Sequence, residues 1–232
     1  IRSIFYPLLG DKIYGRWGDL IDIISVIATV VGLATSLGLG AQQVNAGLEY
    51  LFGIGYSREA QIVIIAVITA LATFSLLAGL DKGIRRLSEV NMGLAMVLLV
   101  FVLAIGPTAF LMDSFVQNLG YYIDNFFKIG LWTESFVGVK DDSNWQNMWT
   151  VFYYAWWIAW SPFVGIFIAR VSKGRTITEF ILGVVLVPSL LTFLWMSVFG
   201  GSALYFELLG DHSITSAVIE NVATAIFKLL EK

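Results

Sequence analysis

Long apolar runs recur along the chain, and short polar or charged segments separate them. Five of these runs lie near residues 19–41, 60–80, 91–112, 147–169 and 178–200. A helix of roughly 20 residues crosses a bilayer core of about 30 Å, so each run is long enough to span a membrane. Strands would need a closed barrel with alternating apolar and polar positions. The pattern therefore predicts an all-α polytopic membrane protein with about five transmembrane helices.

Two further segments have apolar residues at helical spacing with polar residues between them. They cover about residues 115–131, FVQNLGYYIDNFFKIGL, and about residues 212–231, which include HSITSAVIENVATAIFKLL. Amphipathic helices of this kind lie along the membrane interface rather than across it. We expect both segments to be external surface helices, and we expect the polar residues 133–146 to form an external loop.

The composition supports a membrane protein and argues against several other classes. Hydrophobic residues make up 58% of the chain and charged residues 13%, whereas about a quarter of the residues in soluble domains are charged. The net charge of −3 argues against a nucleic-acid partner. The chain has no cysteine and one histidine, His212, so it offers no disulfide framework and no thiolate or histidine metal cluster. We see no nucleophile–base pair, and we predict a protein that is not an enzyme and holds no cofactor or metal.

Lysine and arginine indicate the orientation of the spans, because cytoplasmic loops carry an excess of both. Nine lie before the first predicted span, after the second or after the fourth: Arg2, Lys12, Arg16, Lys82, Arg85, Arg86, Arg170, Lys173 and Arg175. Five lie on the other side: Arg58, Lys128, Lys140, Lys228 and Lys232. The side with nine basic residues is therefore predicted to be cytoplasmic.

Aromatic residues are concentrated in the fourth predicted span, where residues 153–165 read YYAWWIAWSPFVG. Four of the rings share one helical face, at spacings of three or four: Trp149, Tyr153, Trp156 and Trp160. Trp157 points about 100° away from this face. Two interpretations are open here, an aromatic belt at the membrane interface and a ligand site within the span.

A proline lies in the middle of the same span and favours the ligand site. Proline removes a backbone donor and clashes with the preceding helical turn, and Ser161-Pro162 is followed closely by Gly165. Unwound backbone inside a membrane is tolerated where it lines a cavity, as in the broken helices of transporters. We therefore expect a helix break at Ser161, Pro162 and Gly165, with a plain proline kink as the alternative.

Tryptophans without a neighbouring carboxylate suit one kind of ligand in particular. A quaternary ammonium group cannot donate hydrogen bonds, and aromatic faces attract it through cation–π interactions of roughly 0.5 to 2 kcal/mol. Several rings can therefore hold such a cation without a fixed anion.

Two blocks of the sequence resemble the betaine/choline/carnitine transporters, the BCCT family. Residues 156–180, WWIAWSPFVGIFIARVSKGRTITEF, are similar to the signature helix of that family and its following loop. Residues 15–47, GRWGDLIDIISVIATVVGLATSLGLGAQQVNAG, are similar to its fifth helix. The resemblance covers essentially the whole chain, which begins with Ile1 and which we expect to be the central part of a longer transporter of the glycine betaine type.

The resemblance implies a role for several residues. Trp157 and Trp160 match rings of a central aromatic box, and Trp156 matches a position at or beside the substrate path. Phe163 matches a phenylalanine of a sodium site that also uses two threonines one turn apart. Thr29 matches the first threonine, but Leu33 stands at the second position and has no oxygen ligand. Sodium and proton are therefore both open as the coupling ion.

The resemblance also implies a fold and an assembly. Family members have twelve helices in the inverted-repeat fold of the sodium-symporter and amino acid–polyamine–organocation transporters. The five predicted spans correspond to helices five to nine, so residues 1–232 are expected to be a fragment of one transporter domain. A homotrimer in the inner (plasma) membrane, in contact with lipid, is implied as well, with the segment near 115–131 resembling the helix that mediates trimer contacts.

The function predicted from these features is secondary active transport, by alternating access, of a quaternary-ammonium compatible solute such as glycine betaine, choline or carnitine. Osmoprotection by solute symport is the expected physiological role. The alternatives are sodium-independent antiport of related onium compounds and carriage of a non-onium osmolyte. A channel is a further alternative, which slow and saturable uptake would exclude.

Overall fold

A computed structural model describes residues 1–77, 83, 85–135, 145–210 and 212–232 of the chain. Within these ranges every regular element is a helix, as the apolar pattern predicts. The principal α-helices, numbered along the chain, are α1 (Arg16–Phe52), α2 (Arg58–Leu77), α3 (Arg85–Ile105), α4 (Thr108–Asp124), α5 (Phe152–Val171), α6 (Val187–Leu209), α7 (Ser213–Glu220) and α8 (Ala225–Leu230).

Five helical stretches among the described residues are long and apolar enough to cross a membrane. They are Arg16–Phe52, Arg58–Ser75, Arg85–Ile105, Asn147–Val171 and Ile177–Leu209. The last two each begin with a short helical segment that includes a π-helical turn, at Asn147–Val151 and Leu182–Leu186 respectively. The prediction of a polytopic helical membrane protein is therefore confirmed.

The third of these stretches, Arg85–Ile105, ends earlier than the apolar run predicts. The predicted span covers 91–112, but Gly106 and Pro107 interrupt the helix, and α4 begins at Thr108. Pro107 has no N–H to donate to the carbonyl of Leu103, and the Thr108 hydroxyl donates to that carbonyl instead, at 2.6 Å. The segment predicted as an amphipathic helix over 115–131 therefore belongs to α4 and to the short helix Phe126–Gly130.

The end of the chain also differs from the sequence prediction. The fifth predicted span, 178–200, continues as α6 to Leu209. The segment 212–231 is not one helix, because α7 ends at Glu220 and Asn221 adopts an extended conformation with φ −156° and ψ 109°. The Asn221 side chain accepts a hydrogen bond from the backbone N–H of Ala223 and so caps the short turn that leads into α8.

Residues 78–80 of the second predicted span and residues 136–144 of the predicted loop lie outside the described ranges. The predicted orientation across the membrane stays a prediction.

The chain divides into two compact units, one of residues 1–38 and 127–180 and the other of residues 39–126 and 181–232.

In the first unit, Arg2 ties the segment before α1 to the first turns of that helix. Its guanidinium group donates to Asp22 at 2.6 Å and pairs with Asp19 at 3.0 Å. It also donates to the carbonyl of Ile13 at 3.3 Å. Gly18 lies directly against the same carbonyl, where a Cβ atom would clash with the Ile13 backbone. The approach of the segment to α1 therefore requires a glycine at this position.

The second unit has its buried core where α3, α4 and α6 meet. Leu99, Val102, Leu111 and Val198 form this core. Gly201 of α6 is also buried, and a Cβ atom there would lie 3.1 Å from the Leu111 side chain. Small residues of this kind allow two membrane helices to approach closely.

The same unit contains a contact between the C-terminal part of α1 and the last helix. The Gln43 side chain donates to the carbonyl of Ala223 at 2.8 Å, and the Tyr50 hydroxyl donates to Glu231 at 2.6 Å. The rings of Tyr50 and Phe227 stack with their centroids 5.8 Å apart. The aromatic contact holds α8 against α1, and the two polar contacts hold the residues on either side of α8.

Candidate functional site

Helix α5 carries most of the residues that the sequence singles out, and it contradicts the predicted helix break. It continues as one α-helix from Phe152 to Val171, with Pro162 in its interior. Pro162 cannot donate to the carbonyl of Ile158, four residues earlier. The Ser161 hydroxyl donates to that carbonyl at 2.8 Å and replaces the missing donor. The backbone at Ser161, Pro162 and Gly165 is therefore helical rather than unwound.

Trp156 and Trp160 both contact Gly32 of α1. The Trp156 indole N–H donates to the Gly32 carbonyl at 3.2 Å. Gly32 is buried, and a Cβ atom on it would lie 3.0 Å from Cδ1 of Trp160. The structure thus brings two of the three predicted tryptophans together on one residue of α1, within the first unit.

The indole N–H of Trp160 is buried and has no hydrogen-bond partner among the described residues. A buried donor without a partner costs about 1 to 3 kcal/mol. The Trp156 indole next to it on the helical face has a partner, so the two rings differ in how well their polar atoms are satisfied. Trp160 therefore carries the cost of an unsatisfied donor, whereas Trp156 does not.

Tyr153 lies at the centre of a cluster of rings on α5 and on the π-helical turn before it. Its ring is stacked on Trp149 with centroids 6.2 Å apart and an interplanar angle of 12°. It also contacts Phe152 at 5.6 Å, Trp156 at 5.9 Å and Trp157 at 6.0 Å. Helical spacing places Tyr153 on the aromatic face, but the sequence does not single it out as a site residue. Its spacing of three from Trp156 and four from Trp157 is the signal that points to this central position.

Trp157 occupies a different position from Trp156 and Trp160. Its side chain is 59% exposed, and its ring neighbours among the described residues are Tyr153 and Tyr154, each at 6.0 Å. An exposed ring face of this kind is able to receive a cation. The structure does not place Trp157 in contact with Trp160, so the aromatic box that the resemblance implies stays a prediction.

The residues of the predicted ion site make separate interactions. The Thr29 hydroxyl donates to the carbonyl of Ser25 at 2.8 Å, which leaves its oxygen lone pairs available. Leu33 is partly exposed and has no polar atom in its side chain. Within the described residues, no hydrogen bond or ring contact joins Thr29 to Phe163. A hard cation prefers several oxygen ligands, and Thr29 supplies one side-chain oxygen here.

The chain matches the sequence profile of the BCCT family, described as betaine/carnitine/choline family transporter, over residues 1–232. It is 52% identical over 204 residues to a glycine betaine/proline/choline transporter of Vibrio parahaemolyticus, covering 88% of this chain and 36% of that protein. It is 49% identical over 225 residues to a glycine betaine transporter of Bacillus subtilis, covering 96% of this chain and 43% of that protein.

A high-affinity choline transport protein of Escherichia coli is 45% identical over 230 residues, which covers 99% of this chain and 34% of that protein. The chain therefore spans between about a third and less than half of the length of these relatives.

Proposed function

Because the chain belongs to the betaine/carnitine/choline transporter family, we propose that it forms part of a secondary transporter for a quaternary-ammonium solute such as glycine betaine, choline or carnitine. The match of the family profile over all 232 residues carries this proposal. The names of the relatives support it, since they describe transporters of glycine betaine and of choline. The family is one of transporters, so an enzymatic activity is not part of the proposal.

The aromatic rings of α5 provide the chemistry for binding the onium group. A quaternary ammonium offers no hydrogen-bond donor, and it gains roughly 0.5 to 2 kcal/mol from each aromatic face that it contacts. Trp157 supports this role with its exposed face, and the ring of Tyr153 contacts the rings of both Trp156 and Trp157. Trp160 contributes a further ring to the box, as the family resemblance implies.

The transport cycle that we propose is alternating access in a twelve-helix inverted-repeat fold. The five long helices of this chain would be helices five to nine of that fold, and the chain would be a fragment of a single transporter domain. One helix bundle then rocks against the other around the solute site. The transporter would lie in the inner membrane of the cell as a homotrimer, in contact with lipid.

The coupling ion is the part of the mechanism that Leu33 affects most. A sodium ion at Thr29 would lack the second threonine hydroxyl that the family resemblance implies. This observation favours a second candidate function, sodium-independent antiport of related onium compounds, over sodium symport at this site. Proton coupling and carriage of a non-onium osmolyte are both compatible with a leucine at this position as well.

The proposal is tested by titrating the detergent-purified full-length transporter while its tryptophan fluorescence is measured. Glycine betaine, choline, carnitine and proline are added separately, with and without sodium. We expect a saturable change with at least one onium compound, and a weaker affinity in Trp157→Leu than in Trp149→Leu. A response to proline alone would favour a non-onium osmolyte. No saturable response to any onium compound would contradict the proposed function, and equal losses in the two variants would contradict the role of Trp157.

A further inference from the structure

One glycine of α1 contacts two of the tryptophans on the aromatic face of α5. Gly32 accepts the indole N–H of Trp156 through its carbonyl at 3.2 Å. Trp160 approaches the Cα of Gly32 on the side where other residues carry a side chain. A Cβ atom there would lie 3.0 Å from Cδ1 and 3.6 Å from the backbone nitrogen of Trp160. A single residue therefore contacts the two tryptophans by two different atoms.

The available space at Gly32 is smaller than a methyl group requires. Carbon atoms in favourable contact are about 3.5 to 4.0 Å apart, whereas the Cβ of an alanine would meet Trp160 at 3.0 Å. The backbone atoms of Trp160 and Ala159 would lie at 3.6 and 3.7 Å from this Cβ, which are ordinary contact distances, so the crowding is with the Trp160 ring. An alanine at this position must move α5 or the Trp160 ring by a few tenths of an ångström.

We propose that Gly32 is a positioning residue that sets the distance of Trp156 and Trp160 from α1 and thereby the geometry of the aromatic solute site. This proposal rests on the proposed function for the part that concerns solute binding. Gly32 itself does not contact the solute; it acts through the two rings. Its carbonyl also accepts the Ser36 hydroxyl at 3.1 Å, which fixes the direction of that carbonyl on the α1 side.

A second glycine of α1, Gly38, lacks this crowding. Around Gly38 no atom lies within 4 Å of the position that a Cβ would take. Gly38→Ala therefore raises the helix propensity of α1 by the same amount as Gly32→Ala but adds no contact. It serves as the matched control.

The test is a double-mutant cycle in the full-length transporter. The variants are Gly32→Ala, Trp160→Ala and their combination, with Gly38→Ala, Trp157→Phe and the pair Gly32→Ala/Trp157→Phe as controls. The apparent Kd of the onium compound that the wild type binds is measured by tryptophan fluorescence, and KM and kcat of uptake are measured in proteoliposomes. We expect Gly32→Ala to raise the apparent Kd about threefold to tenfold, the range that a partial loss of one ring contact gives.

The pattern across the cycle decides the proposal. If Gly32 acts through Trp160, the loss of the ring in Trp160→Ala removes the crowding, and Gly32→Ala then adds little in that background. In the Trp157→Phe background its effect stays about threefold to tenfold. Equal effects of Gly32→Ala and Gly38→Ala, or the same effect of Gly32→Ala in the Trp160→Ala background as in the wild type, would overturn the proposal.

A measurement without solute separates this proposal from the proposed function. The emission spectrum of Trp160 is obtained as the difference between a protein with Trp160 and its Trp160→Phe variant, once with glycine and once with alanine at position 32. We expect the emission maximum of Trp160 to shift on Gly32→Ala and to stay unchanged on Gly38→Ala. A shift in a protein that binds no onium compound would support the positioning role while the proposed function fails. No shift would contradict the positioning role even in an active transporter.

Discussion

Replacing Ser161 with alanine removes the donor that takes the place of the missing N–H of Pro162. The Ser161 hydroxyl donates to the carbonyl of Ile158 at 2.8 Å, within the interior of α5. Without it, that carbonyl has no donor from the helix, and in a membrane there is no water to supply one. A hydrogen bond contributes about 1 kcal/mol net, and an unsatisfied polar group costs about 1 to 3 kcal/mol. We therefore expect Ser161→Ala to destabilise the protein by about 1 to 2 kcal/mol.

The expected loss depends on the proline, and this dependence is the sharper test. In Pro162→Ala the backbone N–H at position 162 is restored and donates to Ile158 itself, so the hydroxyl becomes redundant. The higher helix propensity of alanine over serine, up to about 0.7 kcal/mol, is common to both backgrounds and cancels in the comparison. The coupling between the two positions should therefore be about 1 to 2 kcal/mol.

The free energy of unfolding is measured for the four proteins of this cycle by reversible unfolding of the full-length transporter in mixed detergent micelles. Far-ultraviolet circular dichroism follows the loss of helix. An equal cost of Ser161→Ala with proline and with alanine at position 162 would refute the reasoning, because the hydroxyl would then stabilise α5 by some means unrelated to the missing donor.

Three other contacts give expectations that can be measured in the same protein. Thr108→Val should lower the free energy of unfolding by about 1 kcal/mol, because the threonine hydroxyl replaces the donor that Pro107 lacks. The control is Thr192→Val, since the Thr192 hydroxyl donates to a carbonyl at 2.8 Å within a continuous helix. It should lower the free energy of unfolding by less in the same assay. The pKa of Glu231 lies below its ordinary value because Lys228 and then Tyr50 donate hydrogen bonds to it. These bonds therefore stabilise the protein fully above the ordinary glutamate pKa of about 4.3, and their contribution is lost as the pH falls through the lowered pKa of Glu231. Amide hydrogen exchange of α8 should accelerate over that pH range in the wild type. An unchanged exchange rate would contradict the reasoning. Leu33→Thr adds the hydroxyl that the ion site lacks and should make solute uptake more dependent on sodium; the same sodium dependence in both proteins would argue against an ion site at Thr29.

The number of long helices can be predicted from the sequence because apolar runs of about 20 residues have few possible structures inside a membrane. The ends of the helices are less predictable. The apolar run of the third span continues too far along the chain, because residues on both sides of Gly106-Pro107 are apolar and hydropathy does not register a missing backbone donor. The apolar spacing of the C-terminal segment predicts one helix because it continues past Asn221, where a side-chain cap follows the end of α7.

The candidate site shows the same difference between pattern and geometry. Helical spacing places Trp156 and Trp160 on one face, and the structure agrees with this. The prediction of a break at Pro162 is wrong because the compensating hydroxyl of Ser161 forms a local hydrogen bond that the helix-breaking tendency of proline does not include. Gly32 has no feature in the sequence that links it to the aromatic residues. Its contact with Trp160 joins residues far apart in the chain, and one sequence does not reveal such a pairing.

The close approach of α4 and α6 has a consequence for which substitutions this protein tolerates. In a soluble core, replacing a large residue with a small one is the costly change, because apolar surface and packing are both lost. At Gly201, between α4 and α6, the costly change is instead from a small residue to a larger one, because even one added methyl group would lie 3.1 Å from the Leu111 side chain. Lipid is as apolar as leucine, so a larger side chain at such a position gains nothing from burial and pushes the helices apart. A scan of all substitutions should therefore rank position 201 by side-chain volume and show little dependence on hydrophobicity.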